Sequence, residues 1–212
     1  MMLRIWGRKN SINVQKALWA IGETGVAHER IDAGGPFGGL ATPEFVAMNP
    51  NRLVPVINDD GFVLWESQAI VRYIAARYGA GTLWSEDIGQ RAHADQWMDW
   101  NASTLQPAFM GVFVNLWRTP EFQRNPQLIR NMVSRAGSMF LLLDQHLADK
   151  DYIAGDKFTM GDIPCGAMLY RYFELPIERP HMPNVSSWYA RLQERPAFRQ
   201  SIMVSFADLK GR

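Results

Sequence analysis

The stretch Asn49-Pro50-Asn51-Arg52-Leu53-Val54-Pro55-Val56-Ile57-Asn58-Asp59-Asp60-Gly61-Phe62-Val63-Leu64-Trp65-Glu66-Ser67 decides the fold. It holds two short apolar runs, residues 54–57 and 62–65, with residues 58–61 between them. Asp60-Gly61 is a strong hairpin signal, because glycine accepts a positive φ at no steric cost. Two antiparallel strands are the natural reading. Proline donates no N–H to a ladder, so Pro55 belongs on a sheet edge or at a strand start, and the backbone of Val54 is left open to pair with something else. The second run leads into Glu66-Ser67, where a helical pattern begins. Ser67 is expected to cap that helix, beside free amides and the positive end of the helix dipole. Such an end accommodates a carboxylate. The stretch thus offers an open strand edge and an anion pocket a hairpin's width apart, which suits a short extended peptide with a free carboxylate.

The rest of the chain is consistent with a cytoplasmic protein. Its 212 residues are 47% hydrophobic, enough for a substantial core. Lys+Arg at 22 against Asp+Glu at 21 gives no electrostatic argument for nucleic acid or an anionic membrane. A single cysteine, Cys165, excludes an internal disulfide framework and fits a reducing compartment. The N-terminal residues do not read as a signal peptide, and the longest aliphatic and aromatic runs, such as 139–143, are far too short to span a bilayer. His28, His93, His146 and His181 are scattered without ligand spacing, so no metal site is expected.

In order, residues 3–6 read as a strand and 7–10 as a polar turn. Ser11 caps a helix whose Val14, Ala17, Leu18 and Ile21 fall on one face, and Gly25 closes it. Residues 28–32 make a second strand, completing a βαβ unit with a right-handed crossover. The glycine-rich 34–39 segment fits no nucleotide fingerprint and reads as a plain loop. Thr42-Pro43-Glu44 opens a short helix. The helix after Ser67 buries Ala69, Ile70, Tyr73 and Ile74 and ends at Gly79. This is the order of a thioredoxin-like α/β domain with four strands, one of them antiparallel. Residues 80–87 are a link. Beyond them every pattern is helical: 88 to about 117 with a kink at Pro107, 128–147, a helix opened by Thr159 to Asp162, 183–193, and a last one at 196–205. We therefore expect a thioredoxin-like domain over 1–80 and an all-α domain over 88–212. Thr159 and Asp162 read as a capping pair, and Cys165 as a buried small hydrophobe.

Ser11, Val54-Pro55 and Glu66-Ser67 fall at one end of such a sheet. Together with Asn49-Pro50-Asn51, Gln68-Ala69-Ile70, Thr159-x-x-Asp162 and the stretch Gly7-Arg8-Lys9-Asn10-Ser11-x-Asn13-Val14-Gln15-Lys16, they make a chain that resembles a bacterial cytosolic glutathione S-transferase over essentially its whole length. The order and spacing of these motifs carry the resemblance, and no single motif does. It implies glutathione as co-substrate, no metal, and site roles position by position. Val54 precedes a cis proline and pairs through its backbone with the cysteinyl part of glutathione. Ser67 binds the γ-glutamyl carboxylate, Glu66 faces the γ-glutamyl amino group, and Arg52 lies near the glycyl carboxylate. Ser11 stands where serine-type classes hold the thiol, with Asn10 and Asn13 as amide donors that share or replace that role. A hydrogen bond to a charged group is worth about 1.5–3 kcal/mol, which lowers a thiol pKa by roughly one to two units. The first strand–helix turn has neither tyrosine nor cysteine, which disfavours tyrosine-type and glutaredoxin-like chemistry.

For the electrophile, the resemblance implies an apolar pocket between the domains. Phe109, Phe113 and Trp117 recur at i, i+4 and i+8, and Tyr170 or Phe206 closes the pocket; the same spacing also reads as core. Family members are usually two-fold dimers, with Arg72 and Arg77 as interface candidates. The implied activity is addition of the glutathione thiolate to small apolar or halogenated electrophiles, in detoxification. The alternatives are a non-catalytic transferase-like protein-interaction module and a glutathione-dependent lyase or isomerase.

Overall fold

The computed structural model describes residues 2–211. Leu3–Trp6 forms β1 and Ile12–Thr24 forms α1. Ser11 enters α1 in an extended conformation, and Gly25 leaves it at φ 69°, the left-handed region that a side chain would disfavour. Val14, Ala17, Leu18 and Ile21 are all buried, as their spacing requires. His28–Ile31 forms β2, parallel to β1 and one residue shorter than expected. A 3-10 turn over Gly35–Phe37 occupies the glycine-rich loop. In α2, Pro43–Met48, proline stands first and the Thr42 hydroxyl accepts from the Phe45 amide at 3.3 Å.

The hairpin consists of β3, Val56–Asp59, and β4, Phe62–Trp65. Asp59 pairs with Phe62, so the loop is Asp60-Gly61 alone, both at positive φ (54° and 94°), the pattern of a two-residue turn that matches strand twist. The sheet order is β2-β1-β3-β4, and β3 alone among these strands runs against the others. This decides between the two places open to Pro55. β3 is an interior strand and starts at Val56, so Pro55 marks a strand start and not a sheet edge. Val54 lies just past the last cross-strand pair, Trp6 with Val56, and its backbone is outside the ladder for that reason. The Val54–Pro55 peptide bond is cis.

Ser67–Tyr78 forms α3. Ile70 and Ile74 are buried as expected, and Val71 and Ala75 complete the face. Ala69 and Tyr73 are only half-buried. Tyr73 turns its hydroxyl to Asp59 Oδ2 at 2.7 Å, an acceptor that Tyr78 (2.7 Å) and Arg77 Nε (3.0 Å) also use. Burial and that carboxylate push the Tyr73 phenol up to about 12.

The chain divides into two compact units. The first runs to Glu86 and takes in Pro196–Val204; the second runs from Asp87 to Arg195 and resumes at Ser205. In the second, Asp87 caps α4, Ile88–Trp100, by accepting from the Gln90 amide at 2.7 Å. A π-helical segment, Asn101–Leu105, leads into α5, Gln106–Val112, and a second one, Phe113–Arg118, ends the run. The wider π turn lies just before Pro107, where the missing N–H and the proline ring disturb the preceding turn. The remaining helices are α6, Pro126–His146, α7, Asp162–Glu174, α8, Pro183–Gln193, and α9, Pro196–Ser201. α9 belongs to the first unit, against the expectation of one unbroken helical domain to the end. Its Phe198 ring meets Trp19 edge-on at 4.8 Å, and Ala197 packs where α1 carries Gly22, a position at which a side chain would reach Ala197 Cβ at 3.0 Å. No helix among the described residues is long and apolar enough to cross a membrane.

Candidate functional site

The candidate site belongs to the first unit and is assembled from three segments. The first is the β1–α1 turn. The Gly7 amide donates to Ile31 O (2.9 Å) and the Arg8 amide to Ala33 O (3.0 Å), which fixes the approach to α1. Gly7 has φ 151°, and a Cβ there would meet Val14 Cγ2 at 2.3 Å and Val54 Cβ at 3.2 Å. Glycine is required where α1 and Val54 close on the end of β1. Ser11 heads α1, and its side chain makes no capping hydrogen bond. Asn10 Oδ1 accepts from Arg8 Nε at 3.0 Å, and Asn13 Oδ1 accepts from Lys16 Nζ at 3.3 Å.

The second segment is the loop before β3. Asn49 is buried and staples it: Nδ2 donates to Leu53 O (2.9 Å), while Oδ1 accepts from the Asn51 amide (3.0 Å) and its side chain (3.2 Å). Arg52 is exposed at φ 55°. The third segment is the start of α3. Glu66 occupies the cap position at φ 72°, ψ 116°, a conformation costly for a residue with a Cβ, and its side chain makes no capping bond. Ser67 is therefore the first residue of the helix and not its cap. It is 6% exposed, and the amides of the first turn have no acceptor within the helix.

Asn13, Asn49, Leu53, Val54, Pro55, Glu66 and Ser67 line one small cleft of about 40 Å³. Of the residues selected from sequence, Asn13, Val54, Pro55, Glu66 and Ser67 thus meet, while Ser11, Asn10 and Arg52 do not line this cleft. Asn49 and Lys16 entered the resemblance only as members of its motifs, and Leu53 did not enter it, so none of the three carried a site role; a buried asparagine at the end of α2 has no sequence signature beyond its turn propensity. Among the described residues no group of three or more His, Cys, Asp or Glu is placed to hold a metal ion.

The family model "Glutathione S-transferase, N-terminal domain" matches residues 1–76, the segment that builds this cleft, and "Glutathione S-transferase, C-terminal domain" matches residues 105–196. The chain belongs to the glutathione S-transferase family. Glutathione S-transferase GstB of Escherichia coli is 42% identical over 205 residues, covering 96% of this chain and 99% of that one. The theta class glutathione S-transferase of Xanthomonas axonopodis pv. citri, solved with glutathione bound, superposes with a TM-score of 0.92 at 46% identity, covering 96% and 98% of the two chains. Its apo form gives a TM-score of 0.85. The protein is accordingly an enzyme, a glutathione transferase.

In the helical unit of this transferase, the aromatic stripe is mostly core. Phe109 and Phe113 are 0% and 1% exposed. Phe109 contacts Phe113 and Tyr172, and Phe113 contacts Phe206. Trp117 and Tyr170 are half-buried, and both rings meet Phe206, at 5.1 and 6.0 Å. The Arg171 guanidinium, buried, lies 4.9 Å from the Phe113 ring centroid and 5.6 Å from that of Phe206, where a cation gains from the ring faces. A roomier cavity of about 700 Å³ lies between α6 and the segment from Ile177 to Pro180. It gathers none of the sequence-selected residues. The smaller cleft is the better candidate, because it brings a strained carboxylate, a buried hydroxyl and an open backbone together.

Proposed function

We propose that the cleft is the glutathione site and that the enzyme adds the glutathione sulfur to small apolar or halogenated electrophiles. The meeting of Ser67, Glu66 and Val54 around one small cleft carries this reading. Ser67 supplies a hydroxyl and an amide at a helix start, which suits the γ-glutamyl carboxylate. Glu66 supplies the opposite charge for the γ-glutamyl amino group, and its positive φ is the kind of strain that a binding site retains. Val54, off the end of the β3 ladder, offers its amide and carbonyl to the cysteinyl unit as one further strand residue would. That orientation carries the thiol toward the start of α1, where Ser11, Asn10 and Asn13 provide donors. Arg52, exposed beside the cleft, faces the glycyl carboxylate. The bound Xanthomonas relative supports the ligand assignment. For the electrophile, Trp117 and Tyr170 are the ring surfaces that retain exposure, with Phe109, Phe113 and Phe206 supporting them from behind. A detoxifying role in the cytoplasm and assembly as a two-fold dimer through the α3 surface of Arg72 and Arg77 complete the reading; light scattering tests the dimer.

Calorimetry with glutathione and a chlorodinitrobenzene turnover assay test the site. Wild type binding glutathione at micromolar to millimolar levels, with turnover, supports it. No binding at several millimolar glutathione overturns it and leaves a protein-interaction module as the better account.

A further inference from the structure

We infer that Lys16 is a positioning residue for the thiol: it holds the Asn13 carboxamide so that Asn13 Nδ2 is the donor presented to the glutathione sulfur. The inference rests on the glutathione reading of the cleft and assigns one role within it.

Lys16 is 0% exposed. A fully buried lysine is rare unless its ammonium has a use, because losing water is costly for the charge. Helical side chains lean toward the N-terminus of their own helix, which brings Lys16 Nζ back to Asn13, three residues earlier, at 3.3 Å. An ammonium has three donors and no acceptor. The carboxamide atom that faces it must therefore be the oxygen, and the NH₂ group must point the other way. Asn13 lines the cleft with Val54 and Ser67. The Lys16 contact converts an amide that could present either atom into one that presents a donor. A thiolate needs a donor, and an amide oxygen turned toward it would repel it. The buried positive charge behind Asn13 acts in the same direction, as does the start of α1. Arg8 sets Asn10 in the same sense, through its Oδ1 at 3.0 Å, but Asn10 does not line the cleft.

Three variants separate orientation from packing. Lys16→Met keeps the aliphatic stem and removes the donor. Lys16→Gln removes the charge and keeps a donor for Asn13 Oδ1. Asn13→Asp keeps an acceptor for Lys16 and offers no N–H to sulfur. The readings are glutathione affinity by calorimetry, kcat with chlorodinitrobenzene, and the pH at which bound glutathione acquires its ultraviolet thiolate absorption. We expect affinity within about threefold of wild type for all three, because Ser67 and Glu66 are untouched. Turnover falls about tenfold or more for Lys16→Met and Asn13→Asp, and the thiolate band of each moves to higher pH. Lys16→Gln retains most of the activity. The double variant Asn13→Ala/Lys16→Met is no worse than Asn13→Ala alone, since Lys16 acts through Asn13. Wild-type kcat in Asn13→Asp overturns the inference, as does equal loss in Lys16→Met and Lys16→Gln, or additive loss in the double variant. If Lys16→Met does not fold, Asn13→Asp decides, because it leaves the buried lysine partnered. Failure of wild type to bind glutathione at all is a different result: it removes the glutathione site, and this role with it.

Discussion

The starts of α7 and α3 each carry a carboxylate, and they differ in what remains available to a ligand. At α7, Asp162 is fully buried. Its Oδ1 accepts from the Ile153 amide (2.9 Å) and Trp188 Nε1 (3.1 Å), and its Oδ2 from the Thr159 amide (2.9 Å) and hydroxyl (3.4 Å). The acceptor capacity of the group is filled from within the protein. At α3, Glu66 is exposed at φ 72° and caps nothing with its side chain, while Ser67 turns into a cleft. The saturated start joins α7, α8 and the segment at Ile153 into one core. The strained, unsaturated start holds the second helix beginning open. Both look alike as a polar pair before an apolar run; hydrogen-bond saturation and backbone strain tell structure from function here.

The largest expected effect comes from Asp162→Asn. The amide keeps the shape of the carboxylate, but its NH₂ group faces two donors wherever it is placed. A loss of about 3 kcal/mol of stability follows, read from urea melts. Glutathione affinity of the folded fraction should equal that of wild type; a weakened affinity would show that α7 bears on the site. Burial pushes the Asp162 carboxyl up to about 6 from 3.8, against the pull of its hydrogen bonds. A carboxyl raised on folding binds more protons in the native state, so its share of stability is full below the unfolded value and is lost as pH rises through about 6. The stability gap between wild type and Asp162→Asn should therefore be widest near pH 4, narrow toward about pH 6, and stay level above it.

Ser67→Ala is the mirror experiment. It removes one hydroxyl from the open start, and we expect glutathione to bind about 10- to 100-fold more weakly, the worth of a hydrogen bond to a carboxylate. Stability should change by less than about 0.5 kcal/mol. If Ser67→Ala lowers stability as Asp162→Asn does and leaves affinity intact, the contrast between the two helix starts collapses.

What was legible in the sequence follows the same division between local and non-local causes. Ser11 and Gly25 bound α1, Thr42 and Pro43 open α2, and Asp60-Gly61 turns the hairpin, because each is decided within a few residues by φ preference and capping. Four strands with one of them antiparallel were legible from the alternation of elements. The interior position of β3 was not, since Pro55 is compatible with a strand start and with an edge, and only the pairing of β3 with β1 distinguishes them. The return of α9 to α1 was hidden for the same reason: Ala197 and Phe198 carry an ordinary helical pattern, and the surface they meet, Gly22 and Trp19, lies far away in sequence. In the site, Glu66-Ser67 was legible as a helix start but was displaced by one position, because no residue preference announces a glutamate at positive φ. Lys16 was hidden by its charge, which reads as a solvated face until both sides of α1 are seen to be covered.

The smallest effect is also the one that isolates strain. Glu66→Ala and Glu66→Gly both remove the carboxylate, so both should weaken glutathione by a similar factor, about two- to fivefold for one exposed charge pair. They differ only in the Cβ. In an unstrained backbone, glycine is less stable than alanine by about 0.5–1 kcal/mol, because the unfolded chain is freer. At φ 72°, ψ 116° the alanine keeps a conformational cost of about 1–3 kcal/mol that glycine does not have. The two terms oppose each other, and the strain is the larger. Glu66→Gly should therefore be more stable than Glu66→Ala by about 0.5–1 kcal/mol, an inversion of the usual order that paired urea melts can resolve. If alanine proves the more stable, strain at the start of α3 is smaller than the ordinary glycine penalty of about 0.5–1 kcal/mol. The openness of that start to a ligand would then rest chiefly on unused hydrogen-bonding groups, and α3 and α7 would differ chiefly in saturation.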